Sequence, residues 1–369
     1  TWGKRDWTQP VKDMPLDKGF DYYWGIPASM NYGVLAWFDG RFAKVPPTQY
    51  TAKKPNAIAI SDYRIKPPYA KVPPKNPTKN DLEVAPDFVD IECLDRFTTQ
   101  SLKWLDGRAA AARAGKPFFL YLPYTSPHKP VIPPEQFRGQ GKAGAYGEFM
   151  IETDHHLGRI LKWLDDEKLA DNTMVIFTSD NGPETTWRER IQRFGHHSNG
   201  IYREGKRSVY EGGHRVPFII RWPAKVKAGS QWNQPVCQTD LLATFADMAG
   251  ERLPANAGED SISFYRVLRG VGENSVAPRV AIVHHGSQGR FALREQNWKL
   301  VMEDARRGKR ELYDLAKDPG ETTNVIAQHP EVAARLVAKL TVIVRNGRSS
   351  PGPVQKNDTP PWKELFWMH

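Results

Sequence analysis

Apolar positions along the chain follow two patterns, one typical of amphipathic helices and one typical of buried strands. Apolar residues at helical spacing predict helices over residues 87–114, 144–167, 238–249 and 330–345. Short continuous apolar runs predict strands at 117–122, 173–178 and 216–221, followed by short antiparallel strands at 280–283, 291–293 and 298–302. Proline pairs interrupt any long element before residue 87, so residues 1–86 are predicted to be rich in loops.

The order strand, helix, strand over residues 117–178 is typical of a β-α-β unit, which implies a parallel sheet covered by helices. We therefore predict an α/β fold with a mixed, mostly parallel sheet between helices. The later strands and the closing helix predict a small α+β subdomain with an antiparallel sheet. The expected domains are a catalytic α/β domain over 1–272 and this C-terminal subdomain, with its tail, over 273–369.

Composition narrows the class of protein. With 369 residues, 40% hydrophobic and 25% charged, the chain is of ordinary globular composition, which excludes disordered, collagen-like and coiled-coil chains. Two cysteines exclude a disulfide scaffold, and no apolar run reaches the roughly 18 residues of a membrane span. The net charge of +10 favours anionic partners such as sulfated or phosphorylated substrates. No nucleic-acid-binding motif accompanies the basic residues, so nucleic acid is not an expected partner.

Two groups of polar residues follow the predicted parallel strands, where ligands bind in such sheets. His128 follows the strand at 117–122, and Asp180 and Asn181 follow the strand at 173–178. A carboxylate and an amide oxygen are ligands for hard cations such as calcium or magnesium. The Asp-Asn-Gly sequence is also typical of a simple turn, so the residues alone leave both readings open.

His128 and two further side chains suit the chemistry of an anionic substrate. A histidine at 128 can donate a proton to a leaving group near neutral pH. Lys206 supplies a compact positive charge for an anionic oxygen, and His197, in the loop before it, is a candidate pocket residue that contacts substrate. Taken singly, each of these side chains is more typical of an ordinary surface loop.

Several segments together resemble the formylglycine-dependent sulfatases of the alkaline-phosphatase-like superfamily. The matching segments are 19–20, 25–29, 126–130, 178–182, 205–206 and 211–217, and residues 312–324 are similar to the C-terminal subdomain of the family. The Gly-Ile-Pro-Ala-Ser sequence at 25–29 is most similar to the branch of arylsulfatase A and N-acetylgalactosamine-6-sulfatase. The resemblance implies an alkaline-phosphatase-like fold and an exported, periplasmic or extracellular enzyme.

The resemblance also implies a sulfuric ester hydrolase that acts on aryl or carbohydrate sulfates, with one calcium ion. Asp180 and Asn181 would bind the calcium, and His128 would protonate the leaving oxygen. Lys206 would hold a sulfate oxygen, and Ser29 would match a pocket serine near the sulfate. The expected partner is a sulfated small molecule or glycan, and the sequence indicates no oligomeric state.

The chain departs from the family at its expected nucleophile, a formylglycine made within a Cys/Ser-x-Pro-x-Arg motif. Neither Cys93 nor Cys237 lies in such a motif, nor does any serine. The early Asp-Asp and Gly-Lys-Trp-His segments of the family are also absent. We therefore expect the nucleophile upstream of Thr1 and little turnover from these residues alone. The alternatives are a phosphoester or phosphonate hydrolase of the same superfamily and a non-catalytic homologue that binds sulfated glycans.

Overall fold

The computed structural model describes residues 9–52, 69–71, 81–270, 279–303, 309–356 and 362–368. The chain divides into two compact units. The first comprises Thr1–Ala170 and Arg188–His196, and the second comprises Asp171–Trp187 and His197–His369. The domain boundary predicted at residue 272 lies outside the described residues, so the division into 1–272 and 273–369 stays a prediction.

Short strands make up the first part of the first unit. They are β1 (Trp24–Gly25), β2 (Phe38–Asp39), β3 (Phe42–Ala43), β4 (Gln49–Ala52) and β5 (Asp81–Val84). Strands β1, β2 and β3 form one antiparallel sheet, and β4 pairs antiparallel with β5. These strands are two to four residues long, which agrees with the loop-rich character predicted for this region.

Helices supply the rest of the first unit. They are α1 (Cys93–Arg113), α2 (Gly144–Asp166) and α3 (Trp187–Phe194), of which only the first residue, Trp187, belongs to the second unit. Helices α1 and α2 pack together, and Leu94 and Phe97 of α1 join Phe149 of α2 in a buried core with Trp37. The helices predicted at 87–114 and 144–167 are confirmed. Helix α1 begins later than predicted because a 3-10 turn, Asp90–Glu92, precedes it.

The segment predicted as a strand at 117–122 has no strand partner among the described residues. Its side chains nevertheless alternate as in a strand, since Phe119 and Tyr121 are 59% and 67% exposed while Phe118 and Leu122 are half-buried. A continuous apolar run is typical of a strand buried on both faces, but only alternate side chains of this segment are covered, and a β-ladder also needs the backbone of a neighbour. The strand prediction was therefore wrong in its pairing.

The second unit begins with a two-stranded antiparallel ladder of β6 (Val175–Thr178) and β7 (Phe218–Arg221). The strands predicted at 173–178 and 216–221 are thus confirmed, but the expected parallel β-α-β pairing is not found among the described residues. Hydrophobic pattern gives the burial of a strand and not the direction of its neighbour, which explains the difference. Between and after these strands lie α4 (Glu211–His214), α5 (Asp240–Ala249) and α6 (Tyr265–Leu268).

A four-stranded antiparallel sheet with one helix completes the second unit. Its strands are β8 (Ala281–His285), β9 (Phe291–Glu295), β10 (Trp298–Val301) and β11 (Glu311–Asp314), paired in the order β11-β10-β9-β8. Helix α7 (Pro330–Asn346) covers β9 and β10, and Leu293, Leu300, Leu336 and Leu340 are fully buried between them. The predicted antiparallel subdomain is confirmed. No helix in the described part of the chain is both long and apolar enough to cross a membrane.

Candidate active site

Two glycine-rich loops of the second unit meet backbone to backbone just after β6. The Gly182 N–H donates to the carbonyl of Gly213 at 3.0 Å, and the Lys206 N–H donates to the carbonyl of Pro183 at 2.9 Å. A Cβ atom at Gly182 would lie 1.8 Å from the carbonyl oxygen of Gly212, so only glycine permits this approach. The Asp-Asn-Gly sequence is therefore more than a turn, because it seats the residues before Gly182 against the loop that carries Lys206.

A cavity of about 620 Å³ lies at these loops. It is lined by Asp180, Asn181 and Lys206, which the sequence identified as candidates, and these residues come from two separate segments of the chain. The cavity therefore brings two possible cation ligands and one ammonium group to a single concave surface, as expected of a binding site for an anion.

Lys206 and its neighbour Arg207 both line the cavity, but only Arg207 is neutralised nearby. The Arg207 guanidinium donates to both carboxylate oxygens of Glu184, at 2.5 and 2.9 Å, and this pair lowers the pKa of Glu184 to about 2. Lys206 is half-buried and makes no ion pair with any residue that the structure describes. Its ammonium charge is consequently available to an anionic ligand.

Asp180 and Asn181 supply oxygen atoms of the kind that calcium prefers. Asp180 is exposed, and its carboxylate takes part in no hydrogen bond or ion pair among the described residues. The Asn181 side-chain nitrogen donates to the Gly182 carbonyl at 3.0 Å, which leaves its oxygen as an acceptor. No group of three or more His, Cys, Asp or Glu residues in the described ranges is placed to hold a metal. Asp180 and Asn181 offer two oxygen ligands, so they fit a calcium ion only as part of a larger ligand set.

A pair of stacked histidines lies behind this surface. The His214 ring, which lines the cavity, stacks on His284 with centroids 4.4 Å apart. Burial, with a further contribution from the Lys299 charge, lowers the pKa of His214 to about 4 and that of His284 well below its usual range. Both rings are therefore neutral at neutral pH, despite the nearby carboxylate of Glu211.

Acidification is expected to destabilise the second unit through these histidines. A folded-state pKa below the unfolded value of about 6.5 means that the unfolded chain binds more protons, so stability falls as pH drops from about 6.5 to about 4. His214→Gln should flatten this dependence, whereas His329→Gln, at a half-buried position outside this stacked pair, should not. Urea midpoints measured across that pH range test this, and an unchanged slope in His214→Gln would contradict it.

His128 and Ser29 lie together in the first unit. The His128 Nδ1 atom is 2.8 Å from the Lys129 carbonyl oxygen and 3.4 Å from the Ser29 hydroxyl. A carbonyl can only accept, so the Nδ1–H of His128 donates to it. The loop is held by Thr153, whose hydroxyl donates to the Ser126 hydroxyl at 2.6 Å. Hydrogen bonds on both sides of the loop thus fix the position of a side chain that can transfer a proton near neutral pH.

The predicted site residues thus fall into two groups. Ser29 and His128 meet in the first unit, and Asp180, Asn181 and Lys206 line one cavity of the second. His197 is an exposed residue of the second unit, where its carbonyl accepts from the Gly200 N–H at 2.9 Å in a tight turn. It is not among the residues that line the cavity, so its contact with substrate stays a prediction.

Other residues that line the cavity were not predicted as site residues from the sequence. His214, His285 and Trp362 contribute to the cavity although they lie far apart along the chain. The available signal was a pair of glycines, Gly286 and Gly289, that follows an apolar strand and permits a tight turn there. Nothing in the local sequence of Trp362 indicates a cavity.

Comparison with known protein families shows to which family the chain belongs. The family model described as Sulfatase matches residues 35–251, more than half of the chain. The chain belongs to the sulfatase family. A second model, described as N-sulphoglucosamine sulphohydrolase, C-terminal, matches residues 199–346 of this sulfatase-family chain. The resemblance stated from the motifs is thereby confirmed.

Individual relatives agree with this assignment. The sulfatase-family chain is 38% identical over 238 residues to an N-acetylgalactosamine-6-O-sulfatase of Bacteroides thetaiotaomicron, covering 60% of this chain and 46% of the relative. It is 32% identical over 246 residues to human arylsulfatase A, again covering 60% of this chain and 46% of the relative. The chain thus spans about half the length of these curated relatives.

Solved structures confirm the fold. One, described under the metabolism of multiple glycosaminoglycans by Bacteroides thetaiotaomicron, superposes with a TM-score of 0.76 at 28% identity. The match covers 92% of this sulfatase-family chain and 76% of the other. The mixed α/β class of the alkaline-phosphatase-like sulfatases is confirmed.

Proposed function

We propose that this chain is part of an enzyme that hydrolyses sulfate esters to an alcohol and sulfate. The observation that carries the proposal is the single cavity lined by Asp180, Asn181 and Lys206. All three residues lie within the segment that the sulfatase family model matches. The cavity offers oxygen ligands for a cation and an unpaired ammonium group, which together suit a sulfate group.

The chemistry of sulfate transfer assigns a role to each residue. Negative charge resides on the sulfate oxygens and develops on the leaving oxygen as the ester bond breaks. Lys206 would bind a sulfate oxygen, and His128 would protonate the leaving oxygen. Asp180 and Asn181 would bind calcium, which when present supplies positive charge for the sulfate oxygens. Ser29, beside His128, would keep that ring in position.

The nucleophile in this proposal is a formylglycine. No Cys/Ser-x-Pro-x-Arg motif occurs in the 369 residues, so the modified residue would belong to a part of the protein outside this chain. We propose further that the enzyme acts in the periplasm or outside the cell, as the resemblance implies. The full-length gene product is therefore the proper material for every assay of activity.

The proposed substrate class is a sulfated sugar. A relative that is 38% identical over 60% of this chain is named an N-acetylgalactosamine-6-O-sulfatase. The net charge of +10 suits a sulfated polymer, because a basic surface attracts polyanions at long range. We therefore propose a 6-O-sulfated N-acetylgalactosamine unit as the first substrate to test.

Turnover by the full-length gene product tests this proposal. The substrates are N-acetylgalactosamine 6-sulfate, para-nitrophenyl sulfate and para-nitrophenyl phosphate, and the product measured is released sulfate or phosphate. We expect sulfate release from the sugar in the presence of calcium and much slower release of phosphate. Faster hydrolysis of the phosphate ester, or no hydrolysis of any sulfate ester, would contradict the proposal.

Removal of one cation ligand gives a further prediction. Asp180→Ala is expected to weaken calcium binding at least tenfold, because a carboxylate is the strongest ligand of the pair. Calorimetric titration of the full-length protein with calcium measures this directly. Asp247→Ala, on the exposed side of α5, is the matched control and should bind calcium like the unaltered protein. Equal affinities in the two variants would refute calcium binding at Asp180.

A further inference from the structure

The C-terminal tail returns to the cavity that holds Lys206. Trp362 and Glu364 both line this cavity, and Trp362 keeps 52% of its surface exposed. The family-model matches end at residues 251 and 346, so these side chains lie beyond both. An exposed tryptophan at the wall of a cavity is an apolar surface to which a ligand can bind.

A row of aromatic rings holds this tryptophan in place. The Trp362 ring meets His285 edge to face, with centroids 4.6 Å apart and planes at 78°. His285 stacks on Phe291 of β9 at 4.2 Å, and Phe291 meets Trp367 at 5.6 Å. The Trp367 indole N–H donates to the Thr341 hydroxyl of α7 at 3.1 Å. The tail is thus anchored on the antiparallel sheet and its helix at a defined position.

Polar groups surround the exposed indole. Glu364, Ser287 and Gln288 line the same cavity. Glu364 packs closely on Gly289, where a Cβ atom would lie 2.2 Å from the Glu364 Cγ atom. The Ser287 N–H donates to the carbonyl of Arg207 at 3.0 Å, which ties this turn to the loop that carries Lys206. The aromatic surface and the ammonium group therefore belong to one continuous wall.

This combination matches the chemistry of a sugar ring. A pyranose presents an apolar C–H face, which packs on an aromatic ring, and an edge of hydroxyl groups, which donate hydrogen bonds to a carboxylate. A sterol or simple aryl group would use the indole but would leave the Glu364 carboxylate without donors. The polar rim of the cavity therefore favours a carbohydrate.

We propose that Trp362 and Glu364 bind the sugar ring that carries the sulfate. Trp362 stacks on the C–H face of the ring, and Glu364 accepts hydrogen bonds from its hydroxyl groups. This proposal rests on the proposed function of the same cavity, in which Lys206 takes the sulfate group. His285 and Phe291 act as positioning residues for the indole.

Binding of an unsulfated sugar tests the proposed contact with Trp362 and Glu364 without any turnover. Saturation-transfer NMR of the full-length gene product with N-acetylgalactosamine measures contact with the ring, and a parallel titration with inorganic sulfate measures the charged part of the cavity. We expect Trp362→Ala to weaken sugar binding about tenfold, while Trp362→Phe stays within about threefold. Sulfate affinity should be unchanged in both. Trp232→Ala, in a separate cavity of about 280 Å³, should bind the sugar normally.

The outcomes separate this proposal from the sulfatase assignment. Unchanged sugar binding in Trp362→Ala, or no sugar binding by the unaltered protein, overturns the proposed sugar contact even if sulfate esters are hydrolysed. Joint loss of sugar and sulfate binding in Trp362→Ala also overturns it, because Trp362 would then support only the shape of the cavity. Sugar binding at Trp362 without hydrolysis of any sulfate ester supports the proposed sugar contact and refutes the proposed sulfatase activity.

Discussion

Lys206→Met in the full-length gene product is expected to lower kcat for a sulfate ester by about 10²–10³-fold. The methionine keeps most of the length of the side chain and removes only its charge. Lys206 makes no ion pair among the described residues, so its charge is not shared with a protein carboxylate and would act on the substrate. A preorganised charge that stabilises the transferring group contributes mainly to the transition state, which predicts an effect on kcat larger than that on KM.

Arg207→Met is the matched control for this prediction. Arg207 is adjacent in sequence and lines the same cavity, but the Glu184 carboxylate neutralises it at 2.5 and 2.9 Å. We expect its replacement to change kcat by less than about tenfold, since an exposed ion pair presents little net charge to a ligand. Equal losses in the two variants would show that the local charge of the loop, rather than Lys206, supports turnover.

Lys299→Met is expected to lower the free energy of unfolding by about 3–5 kcal/mol. Lys299 is fully buried, with its ammonium 3.1 Å from Glu211 and 3.0 Å from Glu321, both also buried. Loss of the cation would leave two carboxylates together without water. Glu321 additionally accepts the Glu211 backbone N–H at 2.6 Å, so the network fixes the start of α4, the helix that ends in His214.

The pKa directions agree with this account. Burial raises the pKa of Glu211, but the charges of Lys299 and Arg294 outweigh burial and hold it below its usual value. Burial raises the pKa of Glu321, and Lys299 offsets this only in part. Lys299 therefore keeps the Glu211 carboxylate ionised, whereas its attraction for Glu321 is too weak to offset the burial of that carboxyl group.

Chemical unfolding at neutral pH measures the loss. Lys317→Met is the control, because its ammonium is exposed and pairs with Asp314 at 3.4 Å on the surface, where an ion pair contributes about 0–1 kcal/mol. Lys299→Met combined with Glu321→Gln should recover part of the stability, since one buried charge is then removed. A loss below about 1 kcal/mol in Lys299→Met alone would contradict a stabilising role for the network.

The helices and the C-terminal sheet were predictable because each has one apolar face packed on a local core. Helix α2 follows the helical spacing of its apolar residues, and α7 begins at Pro330, which the sequence marks as a helix start. Strand partners were not predictable in the same way. The run at 117–122 and strand β6 have similar apolar patterns. Strand β6 nevertheless pairs antiparallel with β7, whereas the run at 117–122 has no strand partner among the described residues.

The candidate site was half predictable. The sequence predicted Asp180, Asn181 and Lys206, because they lie in short motifs with glycines. Those glycines make a close backbone contact, and a contact of this kind is visible in the sequence as a glycine requirement. His285 and Trp362 reach the same cavity through the packing of β8 and the tail. Tertiary packing of this kind has no local pattern, so only the structure shows it.

A crystal structure of the full-length gene product with calcium and N-acetylgalactosamine 6-sulfate would test the central claim most directly. That claim is that the cavity at Asp180, Asn181 and Lys206 binds the sulfate group of the substrate. We predict calcium within ligand distance of Asp180 and Asn181 and a sulfate oxygen within hydrogen-bond distance of the Lys206 ammonium. Sulfate bound elsewhere, with Lys206 and Asp180 contacting only water, would contradict the account.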